Sequence, residues 1–297
     1  MSLFPSSIAD RRVRVLAWLS LVVNIAIIGT GGAVRLTGSG LGCPTWPTCT
    51  EDSFVVTPEM GIHGVIEFGN RTLTGVLMVV AILTFLSVIK LWRTRRSLVV
   101  IAFLLGLGIP LQALVGGVTV LTNLNPYVVG LHFVVSIAMV ALATIYLWRV
   151  CRGQGRAVPG WFVVLGYLLA VLVAITVLMG ILTTGSGPHA GDAGAARNGL
   201  DPGILQHVHS WPAYTVAGLT VVLLAISLMR GYPWRLLAGL LAAEVAQVAV
   251  GITQARLGLP EPLVGTHMVL AAVTTALTVT VILALRSQPA ESAASAT

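Results

Sequence analysis

The sequence predicts an all-α integral membrane protein with eight transmembrane helices, arranged as two tandem four-helix bundles related by pseudo-two-fold symmetry. Three observations support this fold class. Of the 297 residues 56% are hydrophobic and 9% are charged, and the mean hydropathy is +0.94, outside the range of soluble globular proteins. Apolar runs long enough to cross a bilayer recur along the whole chain. A set of polar and glycine positions also repeats at a fixed spacing.

Each apolar run is read as one bilayer-spanning helix of roughly 20 residues. The predicted spans lie near residues 14–34, 62–90, 98–121, 128–149, 161–183, 204–229, 235–255 and 263–285.

The positions of the basic residues indicate the membrane topology of the chain. The net charge of +7 and the isoelectric point near 10.0 are compatible with nucleic-acid binding, but the Lys and Arg residues lie in short loops between apolar runs. Cytoplasmic loops retain such residues, so we expect no nucleic-acid partner. We predict a multi-pass protein of the cell (plasma) membrane, in contact with the lipid bilayer, with both termini cytoplasmic and the long loops 35–61 and 184–203 outside. The basic residues are Arg11, Arg12 and Arg14 before the first span, Lys90, Arg93, Arg95 and Arg96 after the second, Arg149, Arg152 and Arg156 after the fourth, and Arg230 and Arg235 around the sixth and seventh.

An internal repeat divides the chain. Thr-Gly-Ser-Gly occurs at 37–40 and again at 184–187, each time just outside the first span of a four-span group. We therefore predict an N-terminal half at 1–156 and a C-terminal half at 157–297. Because each half contains an even number of spans, the two copies have the same orientation in the membrane. The other repeated positions are Gln112, Gly116, Gly130 and His132, which recur 135 positions later as Gln247, Gly251, Gly265 and His267.

All histidines fall in outer loops or in the outer parts of spans. Ionisable groups inside a bilayer are costly, so they usually have a function or a paired partner. The histidines are His63, His132, His189, His207, His209 and His267.

The C-terminal half offers two histidines on facing helices. His209 on helix six and His267 on helix eight lie at similar depth, the usual arrangement for a six-coordinate haem between bundle helices. A zinc site needs a third or fourth ligand, which the nearby sequence lacks. His207 and His209 point in nearly opposite directions on a helix, and His209 is favoured because it aligns with the repeat.

Helix two carries the densest polar pattern. His63, Glu67, Asn70 and Arg71 lie close to one helical face. An intramembrane carboxylate beside an arginine is either half of a structural ion pair or a proton-transfer group, and we favour the second. Glu244 in helix seven is nearer the cytoplasmic side and is assigned no site.

Three stretches carry a resemblance to a known family. They are Gly-Gly-Ala-Val-Arg-Leu-Thr-Gly-Ser-Gly-Leu-Gly-Cys-Pro-Thr-Trp-Pro-Thr-Cys at 31–49, Ile-Glu-Phe-Gly-Asn-Arg at 66–71 and Leu-His-Phe at 131–133. With the tandem halves and the second histidine pair, the chain resembles the haem A synthases over nearly its whole length. The resemblance implies an oxidoreductase that converts the C8 methyl group of haem O to a formyl group by successive hydroxylations, supplying haem A for terminal oxidases. It also implies haem O synthase as a partner, and leaves the electron acceptor and homo-oligomerisation open.

The resemblance assigns roles to particular residues. It implies a haem b cofactor whose iron is bound by His209 and His267, a substrate haem O whose iron is bound by His132, and an essential acid at Glu67. Many members have Glu-x-x-His-Arg in helix two, whereas this chain has Asn70 at the histidine position. Either His63 binds the substrate iron instead, which we favour, or His132 binds it alone.

The remaining candidates are cysteines and arginines. The oxidising outer compartment permits a disulfide between Cys43 and Cys49, and the family's paired loop cysteines imply it, either as a staple or in electron transfer. Arg35, Arg71 and Arg256 lie near the outer ends of spans, where they either pair with haem propionates or snorkel to the interface. The competing function classes are a b-type cytochrome that only transfers electrons and a transporter.

Overall fold

The structure is a computed structural model that describes residues 7–151 and 158–286. Those residues form eight long α-helices and no strand, and every helix is long and apolar enough to cross a membrane. The predicted multi-pass, all-helical fold is thus confirmed, with most helices a few residues longer than the predicted spans. The helices are α1 Arg11–Leu36, α2 Gly61–Val88, α3 Arg96–Leu121, α4 Pro126–Cys151, α5 Gly160–Ser186, α6 Pro202–Arg230, α7 Trp234–Arg256 and α8 Glu261–Arg286.

Local signals in the sequence set several helix ends. Asp10 caps α1 by accepting a hydrogen bond from the Arg12 N–H (2.8 Å), and Asp201 caps α6 by accepting one from the Ile204 N–H (2.9 Å). Both side chains satisfy an N–H group that has no partner within its helix. At the other end of α6, Gly231 adopts a left-handed conformation (φ 67°) that ends the helix.

Within α1–α4 and within α5–α8, consecutive helices pack side by side, and the last helix of each set returns to the first. The backbones of the diagonal pairs α2/α4 and α6/α8 do not approach each other closely over the described residues. Side chains therefore fill or line the region between diagonal helices in both sets. The pseudo-two-fold relation stays a prediction, and the proposed boundary at 156/157, like Arg152 and Arg156, lies outside the described residues.

The two helix sets meet mainly where α8 packs against α1 and α4. At the α1/α8 crossing a Cβ atom on Gly29 would lie 3.1 Å from Val269 Cγ2, and one on Gly32 would lie 3.2 Å from Met268 Sδ. Small residues let membrane helices approach closely in this way. A side chain at either glycine would require the Val269 or Met268 side chain to shift.

The loops 37–57 and 187–201 lie together at one end of the molecule, here called the long-loop end. The Gly40 N–H donates to the Gly191 carbonyl (2.8 Å). Arg35, at the end of α1, donates to the His189 carbonyl (2.6 Å) and to the Thr184 carbonyl (2.9 Å). The loops of both halves are thereby tied to each other.

Candidate functional site

Two histidine rings meet between α6 and α8, whose backbones do not approach each other closely over the described residues. The ring centres of His209 and His267 are 6.1 Å apart, with their planes at 76°. A metal–imidazole bond is about 2 Å long, and the bonded nitrogen lies roughly 1 Å from the centre of its ring. A metal held between two imidazoles therefore separates the two ring centres by about 6 Å. The ring spacing therefore fits one iron between His209 and His267.

The tautomer of His209 follows from its hydrogen bond to α5. Its Nδ1 lies 2.9 Å from the Thr176 carbonyl oxygen, which can only accept, so Nδ1 carries the proton. This leaves the Nε2 lone pair free for a metal and fixes the orientation of the ring.

Glycines on neighbouring helices make room for the imidazoles. A Cβ on Gly180 would lie 2.9 Å from His209 Cε1, and a Cβ on Gly251 would lie 3.1 Å from His267 Cε1. Contacts this short would displace the rings. Gly251 belongs to the sequence repeat, whereas Gly180 was not identified from the sequence.

The repeated positions make matching contacts around His132 and His267. Gln112 Nε2 donates to the His132 carbonyl (3.4 Å), and Gln247 Nε2 donates to the His267 carbonyl (3.1 Å). A Cβ on Gly116 would lie 3.3 Å from His132 Cε1, as Gly251 does for His267. The repeat therefore reflects a shared way of holding one histidine in each half.

The donor set suits a haem better than a metal bound by protein alone. Over residues 7–151 and 158–286, no group of three or more His, Cys, Asp or Glu side chains could hold a metal ion. His132 Nδ1 and His267 Nδ1 are buried with no hydrogen-bond partner among the same residues, whereas buried polar atoms are nearly always paired. One or two imidazoles per site match the axial ligands of a haem iron, whose other four ligands come from the porphyrin.

On α2 the predicted candidates point to different neighbours. His63 is exposed at the start of the helix, with Nδ1 2.9 Å from Ser39 Oγ. Asn70 Oδ1 accepts a hydrogen bond from the Thr30 hydroxyl on α1 (2.8 Å). The hydrogen-bond partners of His63 and Asn70 thus lie on the loop 37–57 and on α1.

Glu67 and Arg71 form an ion pair that holds the loop 37–57. Glu67 is 5% exposed, and its Oε1 lies 2.6 Å from Arg71 Nη2. Glu67 Oε2 accepts a hydrogen bond from the Cys43 N–H (2.6 Å). Arg71 also donates to the carbonyls of Cys43 (2.9 Å), Thr45 (3.0 Å) and Thr48 (3.0 Å). All five guanidinium N–H groups are thereby used, and none is left for a propionate in this arrangement.

Cys43 and Cys49 form the predicted disulfide, and both are fully buried. Between them, Trp46 packs so closely on α3 that a Cβ on Gly117 would overlap its indole ring. The disulfide thus closes the loop on itself, while the hydrogen bonds of Glu67 and Arg71 anchor it to α2 and the packing of Trp46 anchors it to α3.

The other two candidate arginines differ in their surroundings. Arg35 is half-buried and donates to backbone carbonyls of the second half, as described above. Arg256 is exposed at the end of α7. Both lie at the long-loop end, on the same side of the molecule as the histidines.

The sequence placed Glu244 in no site, but its surroundings are distinctive. It is 4% exposed near the middle of α7, and its Oε1 accepts a hydrogen bond from the Thr220 hydroxyl on α6 (2.9 Å). Its Oε2 has no partner among the described residues. A lone acid in the middle of an apolar span was the available signal in the sequence.

Comparison with known proteins indicates the family of the chain. The chain is similar to the Heme A synthase of Bacillus pumilus, 31% identical over 154 residues, which is 49% of this chain and 48% of that protein. It is similar to the Heme A synthase of Staphylococcus epidermidis, 26% identical over 230 residues, 70% of this chain and 71% of that protein. The match to the Heme A synthase of Exiguobacterium sibiricum is 26% over 176 residues, 58% and 59% of the two chains.

The matched stretches thus span between about half and about 70% of these relatives' own length. The family model described as cytochrome oxidase assembly protein, COX15-CtaA, matches residues 14–281. Since this match covers most of the chain, the protein belongs to the COX15-CtaA family of cytochrome oxidase assembly proteins.

Proposed function

We propose that the protein is a haem A synthase, which oxidises the C8 methyl group of haem O to a formyl group by successive hydroxylations. The observation that carries this proposal is the His209–His267 pair, 6.1 Å between ring centres, in a chain whose relatives are named heme A synthases. When bound, haem supplies the one-electron and oxygen chemistry that amino-acid side chains lack.

In the C-terminal half, His209 and His267 hold the iron of a haem b cofactor. The Thr176 carbonyl keeps Nε2 of His209 available by accepting the Nδ1 proton. Gly180 and Gly251 have no side chain and so leave room for both rings beside the neighbouring helices. Arg256 lies at the long-loop end of α7, where its charge suits a haem propionate.

In the N-terminal half, His132 binds the iron of the substrate haem O. His63 is the favoured second ligand: its Nδ1 lies 2.9 Å from Ser39 Oγ, and its Nε2 is the nitrogen that would bind the iron. The alternative is a site with His132 alone, in which Asn70 stays bonded to Thr30. Arg35, beside both long loops, is the remaining partner for a propionate of this haem.

Glu67 receives the proton released as the substrate methyl group is oxidised. It lies seven residues into α2, at a depth similar to that of His132 in α4. Its hydrogen bonds to Arg71 and to the Cys43 N–H hold the carboxylate in one place, which is what a proton acceptor for a defined substrate atom requires.

The haem sites lie toward the outer face of the plasma membrane, and both termini are cytoplasmic. The clustering of Lys and Arg in the loops opposite the long-loop end supports this orientation. The Cys43–Cys49 disulfide supports an oxidising compartment at the long-loop end. A haem O synthase in the same membrane supplies the substrate.

The decisive experiment is an analysis of extracted pigment. The protein is expressed in a host that makes haem O, purified in detergent, and its non-covalent haems are separated and identified. We expect haem A or the hydroxylated intermediate, together with haem b. Haem b without any oxidised haem O would instead indicate a b-type cytochrome, and a colourless protein would indicate neither function.

A further inference from the structure

We propose that Glu244 is a redox-linked proton site of the C-terminal half. Its carboxylate binds one proton from water when the iron held by His209 and His267 gains one electron, and releases that proton when the iron is oxidised. The inference rests on the proposed function, because it requires haem at these two histidines.

Glu244 lies where an ionised carboxylate is poorly compensated. It is 4% exposed within the apolar core of the C-terminal half, and Thr220, its hydrogen-bond donor, is fully buried. Over the described residues its Oε2 has no partner, and no arginine or lysine pairs with it. An uncompensated buried charge is costly, so added negative charge nearby favours the protonated form of this carboxyl.

Glu244 is coupled to the histidine site through α7. Gln247 lies one turn along the same face, about 4.5 Å further along the helix axis, and donates to the His267 carbonyl (3.1 Å). Charges in an apolar interior are screened less than in water and therefore interact more strongly. One additional electron on the iron therefore favours one additional proton on Glu244.

Polar groups continue from Glu244 toward the end of the molecule opposite the long loops. Ser227 lies two turns beyond Thr220 on the same face of α6. It is fully buried, and its Oγ has no partner among the described residues. The hydroxyls of Thr220 and Ser227 can both donate and accept a hydrogen bond, and seven residues of α-helix separate them by about 10 Å along the axis.

This arrangement is confined to one half. The position that corresponds to Glu244 in the N-terminal repeat is Ile109, which is buried in the apolar core there. A carboxyl common to both halves would suggest a role in packing. Its presence beside only the proposed cofactor site suggests a role in the cofactor's electron transfer.

No other titratable group competes for this role by direct contact. Within the described residues none of the titratable side chains on α6, α7 and α8 forms a hydrogen bond or ion pair with Glu244. These are His207, His209, Tyr214 and Arg230 on α6, Arg235 and Arg256 on α7, and Glu261, His267 and Arg286 on α8.

The test is a potentiometric titration of the low-spin haem in the purified protein. Dithionite is the reductant, redox mediators are added, and the titration is repeated from about pH 6 to about pH 9. In the unmodified protein the midpoint potential should fall as pH rises, by up to about 59 mV per pH unit, the value for a tenfold change per unit in a one-electron equilibrium. Glu244→Gln should flatten this dependence.

Two control variants separate Glu244 from general effects. Glu261→Gln removes an exposed carboxylate at the start of α8 and should keep the slope of the unmodified protein. Thr220→Val removes the hydrogen bond to Glu244 Oε1 and should shift the pH range of the slope without abolishing it.

The outcomes are distinguishable. An equal slope in Glu244→Gln and the unmodified protein, or a flat profile in the unmodified protein, overturns the proposal.

If Glu244→Gln binds no haem, a reduced-minus-oxidised infrared spectrum of the unmodified protein decides. A protonated carboxyl band that appears on reduction and shifts in D₂O supports the proposal, and the absence of this band overturns it. Absence of a low-spin haem from the unmodified protein would instead contradict the proposed function.

Discussion

Each candidate iron ligand depends on a few atoms in other helices. For His209 these are the Thr176 carbonyl on α5, which fixes the protonated nitrogen, and the missing side chain of Gly180, which leaves room for the ring. For His267, Gln247 donates to the backbone carbonyl of the residue, and Gly251 leaves room for the ring. Such supporting contacts orient a ligand before the metal binds.

The choice between two neighbouring histidines can be tested directly. His209→Ala should remove the low-spin haem signal from the reduced-minus-oxidised spectrum of the purified protein, because the iron loses one axial ligand. His207→Ala is the matched control and should leave the signal intact, since His207 is exposed. The reverse result would mean that α6 is rotated by about 200° from its position here.

The space beside His209 can be tested with a single methyl group. Gly180→Ala should displace the imidazole, because the new Cβ would lie 2.9 Å from Cε1, and should lower the low-spin haem content per protein. Gly218→Ala on α6 meets nothing within 4 Å and should bind as much haem as the unmodified protein. Equal haem content in both variants would contradict the proposed fit.

Glu67→Gln tests the proposed proton acceptor. Glutamine has nearly the same shape and can still accept the Cys43 N–H, but it cannot take up a proton. We expect haem O and haem b in the extracted pigment and no haem A. Haem A at the level of the unmodified protein would restrict Glu67 to a structural role.

At the scale of elements, the loop 37–57 and α2 act as one unit. Arg71 donates to three loop carbonyls, and Glu67 accepts from the loop backbone at Cys43. These contacts involve the backbone of the loop and not the cysteine sulfurs. The disulfide is therefore a staple added to a loop that has other anchors.

Replacing both cysteines tests this view of the loop. The double variant Cys43→Ser, Cys49→Ser should lower the free energy of unfolding by about 2 kcal/mol, the chain-entropy expectation for a short loop, and reduce the midpoint of thermal unfolding. Haem A should still be formed because the hydrogen bonds to Glu67 persist. If haem A formation stops while bound haem and thermal stability are retained, the disulfide takes part in electron transfer.

For the whole molecule, the long-loop end gathers all six histidines, the disulfide and the contacts between the halves. Arg35 joins α1 to the loop 187–201, and His189 Nε2 donates to the Leu259 carbonyl before α8 (2.8 Å). Gly40 and Gly191 join the two loops. These contacts join the two halves at the end of the molecule where the histidines lie.

The orientation of the whole molecule can be tested with its free cysteine. Cys151 is exposed at the end of α4, opposite the long-loop end, and the other two cysteines are in the disulfide. A membrane-impermeant maleimide should label Cys151 only after cells are permeabilised. Ala193→Cys in a Cys151→Ser background should be labelled in intact cells, because Ala193 is exposed in the loop 187–201. The opposite pattern would invert the proposed topology.

The sequence by itself determined the eight spans, the repeat and the histidine candidates. A bilayer requires every backbone polar group of a span to be satisfied within its own helix, so apolar length alone reveals the helices. The spacing of Gln112, Gly116 and His132 recurs at Gln247, Gly251 and His267. The sequence alone shows this repeat, because contacts between adjacent antiparallel helices join residues at a fixed separation in the chain.

Only the tertiary structure decided which side chains meet across distant segments. Arg71 uses all its donors on Glu67 and the loop 37–57, Arg35 reaches the second half, and Glu244 is buried against Thr220. Helical periodicity shows which residues share a face but not which helix that face contacts, and loop conformation depends on packing between both halves. The lengths of the spans are therefore local properties, whereas the partners of the polar groups depend on the fold of the whole chain.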